Sequence, residues 1–128
     1  MRKLKKLLAV ASVAAMTLSL CACGGKKDDT YTVGICQLVQ HEALDAATKG
    51  FKDALVEEFG EDGIKFDEQN AQGDANTCAT IINGFVSSDV DLILANATPA
   101  LQAAAAGTDT IPILGTSVTE YGVALELS

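Results

Sequence analysis

Two hydrophobic periods alternate along this chain, one of two residues and one near 3.6. Thr32-Val33-Gly34-Ile35-Cys36 is a compact run with β-branched side chains, which predicts a strand. From Ala43 to Phe59 the apolar residues Leu44, Ala47, Phe51, Leu55 and Phe59 recur at steps of three and four, the mark of one helix face. Gly60 then ends that helix, since glycine enters the left-handed region freely. Ile64 to Asn70 predicts a second strand. Its Ile64 and Phe66 alternate with Lys65 and Asp67, so one side is wet and the strand belongs at an edge. Gly73 turns the chain, and Asp74 caps a helix to about Ser87 with Cys78, Ile81, Ile82, Phe85 and Val86 inward. Asp91-Leu92-Ile93-Leu94-Ala95 is almost wholly apolar, as suits a strand covered on both faces.

Thr98-Pro99 then reads as a helix start, with threonine as cap and proline at the first helical position. The short alanine-rich helix ends at Gly107. Ile111 to Leu114 predicts a fourth strand, with Pro112 in its first residue or two because proline cannot donate to a buried ladder. Thr116 to Glu120 is a polar loop, and Tyr121 to Ser128 opens a further element. Strand and helix thus alternate, which calls for parallel strands joined by right-handed helical crossovers. The expected fold is α/β: a doubly wound, Rossmann-like parallel sheet with strand order 2-1-3-4 in a three-layer sandwich.

The head of the chain has a different character. Arg2, Lys3, Lys5 and Lys6 precede an apolar run from Leu7 to Leu20, and a small residue, Ala22, stands before Cys23. A basic head, a short apolar stretch and a small residue at the break describe an export signal. The run falls short of the ~20 residues that span a bilayer. Leu20-Cys21-Ala22-Cys23 resembles a bacterial lipobox, which implies cleavage after Ala22 and a lipid on Cys23. Cys21 is the weaker candidate because Leu20 before it is bulky. Residues 1–22 are then a lipoprotein signal peptide, 23–30 a lipidated flexible tether, and 31–128 the folding unit. The expected location is the extracytoplasmic face of the cell membrane.

Net charge is −8, and loss of the four basic residues would make the mature chain more acidic still. Phosphate backbones are bound by clustered Lys and Arg, so nucleic acid is excluded as a partner. About a hundred mature residues can bury one modest core. Of the four cysteines, Cys21 would leave with the signal and Cys23 would carry lipid. Cys36 and Cys78 each sit in an apolar run. They read either as two small buried residues or as a disulfide pair. No spacing of Cys, His and acids indicates a metal site. No phosphate-binding glycine fingerprint and no G-x-S-x-G elbow occur, so no cofactor is expected.

Ligands of open parallel sheets bind beyond the carboxyl ends of the strands, near the point where strand order reverses. Three polar loops meet that rule: Gln37 to Glu42, Asn96 to Thr98, and Thr116 to Thr119. Candidate ligand-binding residues are therefore Gln37, His41, Asn96, Thr98, Thr116 and Ser117. His41, the one histidine, has three readings: a loop residue near a helix start, a contact at a cleft rim, or a base oriented by Asp45 with Ser117 as nucleophile. Thr98 as a helix cap does not exclude ligand binding.

Four segments in order resemble ABC-transporter substrate-binding lipoproteins. They are Gly34-Ile35-Cys36-Gln37-Leu38-Val39-Gln40-His41-Glu42-Ala43-Leu44-Asp45, Gln69-Asn70-Ala71-Gln72-Gly73-Asp74, Ala97-Thr98-Pro99-Ala100 and Thr116-Ser117-Val118-Thr119. The nearest group is the type I periplasmic-binding-protein branch for tryptophan, tyrosine or related substrates. Glu42 stands where that family's proline is expected. The resemblance implies two α/β lobes closing on a small solute, with no catalysis and with an ABC permease as membrane partner. It places the ligand carboxylate on Thr98 with Thr116 or Ser117, and Gln37 and His41 on the same cleft. Members are more than twice this length, so the chain reads as an amino-terminal fragment holding an incomplete first lobe. A small exported flavodoxin-like enzyme or cofactor-binding domain is the alternative, on fold class alone.

Overall fold

The computed structural model describes residues 30–127. The expected signal peptide, the lipidation expected at Cys23 and the expected tether as far as residue 29 lie outside the described residues. Eight elements follow: β1 (Tyr31–Gln37), α1 (Glu42–Phe59), β2 (Ile64–Asn70), α2 (Ala75–Ser87), β3 (Leu92–Asn96), α3 (Thr98–Gly107), β4 (Ile113–Thr116) and α4 (Tyr121–Ala124). The four strands are parallel in the order β2-β1-β3-β4, as the alternation of elements implied. The register aligns the strand ends. Asn70, Gln37, Asn96 and Thr116, each the last residue of its strand, share one row.

Helices cover both faces and give three layers. On one face Cys36, Ile93 and Ala95 pack against Cys78, Ile82 and Phe85 of α2 and Ala100, Leu101 and Ala104 of α3. On the other, Val33, Ile35, Ile64 and Leu94 lie beneath Phe51, Leu55 and Val56 of α1. Gly34 has a steric reason: a Cβ there would stand 2.6 Å from the Phe85 ring, so α2 seats its phenyl directly on the β1 backbone.

Several expectations need correction. Pro112 precedes β4, which begins at Ile113 and runs on to Thr116. Proline has no N–H for the ladder, and it contributes only its carbonyl, which accepts from Ile93 N at 3.0 Å. Val86 is more than a third exposed, because α2 turns it away from the sheet as the helix ends. Phe59 is nearly half exposed, and its ring meets Tyr31 edge-on at 5.3 Å at the foot of the sheet. Thr98 lies inside α3. Its cap position is Ala97, and no side chain caps that helix.

Candidate ligand-binding site

The loops that leave the four strands are hydrogen-bonded in series. Ala71 N donates to Gln37 O at 2.9 Å and Gly73 N to Leu38 O at 2.7 Å, which ties the loop after β2 to the loop after β1. Leu38 N donates to Asn96 O at 3.1 Å and Ala97 N to Thr116 O at 2.9 Å. Thr119 N closes the series on Thr98 Oγ1 at 3.4 Å. The candidates of the sequence therefore stand on one end of the sheet, as a connected rim.

Gln37 and Asn96 occupy the inner side of that rim. Gln37 is 4% exposed and Asn96 0%. Thr48, the single buried residue of α1, joins them. Its hydroxyl donates to Gln37 Oε1 at 2.7 Å and accepts from Asn96 Nδ2 at 2.9 Å. Asn96 Nδ2 also donates to Leu44 O at 2.8 Å. Gln37 Nε2 donates to Asp45 Oδ1 at 2.6 Å and to Val39 O at 2.9 Å. Buried amides must be paired or they cost stability, and here the pairing fixes the first turns of α1 on the sheet. Asn96 Oδ1 is buried and accepts no hydrogen bond from the described residues. In this structure Gln37 and Asn96 hold the loop that carries His41.

His41 is the cap of α1. Its Nδ1 accepts from Ala43 N at 3.2 Å, and its carbonyl accepts from Asp45 N at 2.8 Å. Asp45 Oδ1 is taken by Gln37. The His41–Asp45 base geometry is therefore not formed, and the helix-start reading of His41 describes this structure. The ring is exposed, with Nε2 left for an outside partner.

The opposite half of the rim is more open. Ala97 adopts φ 106°, ψ 161°, a region that is essentially glycine's, at a cost of about 1–3 kcal/mol. Ser117 is left-handed at φ 58° and exposed. The strained step at Ala97 swings the chain directly from strand into helix. The first turn of α3 is left with no side-chain acceptor, and Pro99 within it has no N–H to satisfy. Thr98 and Thr116 are half-buried beside it. A helix start with free N–H groups and adjacent hydroxyls suits a carboxylate.

Two crevices flank the sheet at opposite ends. One of about 440 Å³ lies over the carboxyl ends of β1 and β2, lined by Gln37, Gln40, Asp45, Glu68, Gln69 and Asn70. The other, about 420 Å³, is at the amino ends, where Tyr31, Val33, Leu55, Phe59, Ile64, Asp91 and Leu92 line it. The latter is apolar apart from the Tyr31 phenol and Asp91, whose carboxylate is engaged by Thr32 N at 2.8 Å. It offers few polar groups to orient a solute, against the six polar or charged side chains that line the first. Among the described residues no three His, Cys, Asp or Glu side chains cluster as metal ligands, and no helix is long and apolar enough to cross a membrane.

The family model for ABC transporter substrate-binding proteins matches residues 32–127. The chain belongs to that family. It is 50% identical over 90 residues to a tyrosine-binding protein of Clostridioides difficile, a match covering 69% of this chain and 26% of that one. The ligand-free, open structure of a substrate-binding protein with adhesive properties from Clostridium difficile superposes with a TM-score of 0.71 at 45% identity, over 74% of this chain and 33% of that one. An ABC domain from Streptococcus pneumonia in complex with L-Trp gives 0.70 at 34% identity, over 74% and 32%. The chain thus spans between a quarter and a third of the length of these family members.

Sequence reasoning missed Thr48 and Ala97. Thr48 was detectable: it lies on the apolar stripe of α1, four residues after Leu44 and three before Phe51. A lone hydroxyl on such a stripe marks a buried hydrogen bond. The strain at Ala97 left no mark, because alanine stands where the backbone angle favours glycine.

Proposed function

We propose that this chain forms the ligand-facing wall of the first lobe in an extracytoplasmic solute receptor that serves an ABC importer. The solute is an amino acid of the tyrosine and tryptophan class. One observation carries the reading: four parallel strands end in a single polar row, beside an α3 start that no side chain caps. The ligand carboxylate sits at that helix start, against the hydroxyls of Thr98 and Thr116 or Ser117. His41 Nε2 reaches the cleft from the first loop. Gln37 and Asn96 act from beneath, holding the loops in place. Asp45 and Glu68 line the other half of the rim, where Gln37 Nε2 and Lys52 Nζ already engage their carboxylates at 2.6 and 2.7 Å.

A second lobe, beyond the residues present, closes over this wall, and the closed form docks on a membrane permease. Cys23 carries the lipid that keeps the receptor at the membrane. Labelled palmitate should enter the exported protein and be lost with Cys23→Ala but not with Cys21→Ala. The relatives support the solute class: one is a tyrosine-binding protein and another holds L-Trp.

The test is a binding panel on the full-length protein. L-Tyrosine and L-tryptophan should raise the melting temperature in a concentration-dependent way, while their decarboxylated amines should not. Equal stabilisation by the amines would remove the carboxylate from the account. No response to any amino acid would remove the function.

A further inference from the structure

Cys36 and Cys78 play no part in the site above, yet the fold brings them together. Cys36 is the next-to-last residue of β1, and Cys78 lies at the start of α2, four residues after its cap Asp74. Both are 0% exposed and both belong to one core cluster, and each thiol is near enough to perturb the other's acidity. Both are free thiols in this structure. Two neighbouring thiols in one core cluster need only a local side-chain adjustment to join, and closure would enclose all of α1 and β2 in one covalent loop.

We propose that Cys36 and Cys78 form a disulfide in the exported protein, stapling the end of β1 to the first turn of α2 directly beneath the ligand rim. The proposal rests on the extracytoplasmic placement for its setting, since disulfides persist in oxidising compartments. The chemistry needs only a disulfide oxidant, such as glutathione disulfide. One cysteine thiolate attacks the oxidant's S–S bond, which breaks and releases one thiol, leaving a mixed disulfide. The second cysteine thiolate then attacks the first cysteine's sulfur and releases the other thiol. The two cysteines together give up two electrons and two protons, and the oxidant's sulfurs receive them.

Timing follows from the surroundings. Burial first, and Cys78 second, push the Cys36 thiol up to about 12, so thiolate is scarce once the core has closed. Burial also raises Cys78. The bond therefore forms as the chain folds, and the finished reduced core resists oxidant.

The experiment is to refold the full chain in glutathione disulfide or in reductant. The product is then unfolded in alkylating agent, and the tryptic peptides are mapped by mass. The same map on exported protein, alkylated at harvest, guards against poor refolding in vitro. The expected result is the peptides of Cys36 and Cys78 joined in the oxidised samples and doubly alkylated in the reduced one. The linked form should show a higher urea midpoint, which falls to the reduced value when reductant is added. The folded reduced protein should react with oxidant at least tenfold more slowly than the unfolded chain. Alkylation of both cysteines in the oxidised and exported samples alike would overturn the proposal, as would linkage mainly to Cys21, Cys23 or glutathione. A linked form no more resistant to urea than the dithiol would overturn the staple. Because this readout uses no solute, it fails or succeeds independently of the binding panel.

Discussion

On the α2 and α3 side of the sheet the buried contacts are almost all hydrocarbon and sulfur. α2 buries Cys78, Ile82 and Phe85, and α3 buries Ala100, Leu101 and Ala104. On the α1 side the helix buries one residue fully, and that residue is Thr48. Its apolar partners Phe51, Leu55 and Val56 remain partly exposed. The same strands supply both faces, Cys36 to one and Gln37 to the other. The contrast separates two tasks. Close packing on one side holds the sheet, while directional hydrogen bonds on the other aim the loop that carries His41. Apolar packing tolerates small rotations, whereas the Thr48 hydroxyl, shared at 2.7 and 2.9 Å, fixes the orientation of two amides.

That division can be broken from either side. Phe85→Ala removes the ring that rests on Gly34 and should cost about 3–5 kcal/mol, read as a fall in urea midpoint. A loss below that of Thr48→Val would invert the comparison. High pH attacks the same face. The Cys36 thiol is raised from 9.0 to about 12 in the folded state, so above pH 9 the unfolded chain loses this proton while the native chain keeps it. Stability of the reduced protein should therefore be intact below pH 9 and decline as pH climbs towards about 12. Urea midpoints measured across that window check this, and the Cys36–Cys78 contribution should vanish in the disulfide form.

On the α1 side, Thr48→Val keeps the shape but strips Gln37 Oε1 of its donor and Asn96 Nδ2 of an acceptor. The expected loss is about 1–3 kcal/mol, with ligand affinity falling alongside because the first loop is no longer held. Equal affinity in the folded variant would show that the network serves stability alone. The smallest effect has the opposite sign. Ala97→Gly relieves the backbone and should stabilise by about 1 kcal/mol, seen as a raised melting temperature. A fall would mean that Ala97 is not strained.

Which parts of this were legible in the residues follows from the kind of signal each leaves. Strand order and the polar ends of β1, β3 and β4 follow from periodicity and from crossover geometry, and both are regular. The wet face of β2 was visible in Lys65 and Asp67 for the same reason. The direction of Gln37 and Asn96 was harder to see. As polar residues at strand ends they resemble ligand contacts, but the pleat puts Gln37 on the face of Val33 and Ile35, beneath α1. Thr98 resembled a cap because Pro99 followed it. The strained turn at Ala97 moved the cap back by one residue and left the Thr98 hydroxyl facing the next loop. Pro112 misled by one register step, because a proline carbonyl can serve a ladder that its nitrogen cannot.

The wall formed by the strand ends is tested most directly by calorimetric titration of full-length protein with L-tyrosine and L-tryptophan, native against Thr98→Ala. Thr98 caps no helix and its hydroxyl accepts only the long bond from Thr119 N at 3.4 Å, so the variant should lose at most about 1 kcal/mol of stability while affinity for the better ligand drops by about tenfold or more, the loss expected for a hydroxyl that serves a charged carboxylate. Undiminished affinity in Thr98→Ala, repeated in Thr116→Ala and Ser117→Ala, would contradict a carboxylate seat at the start of α3.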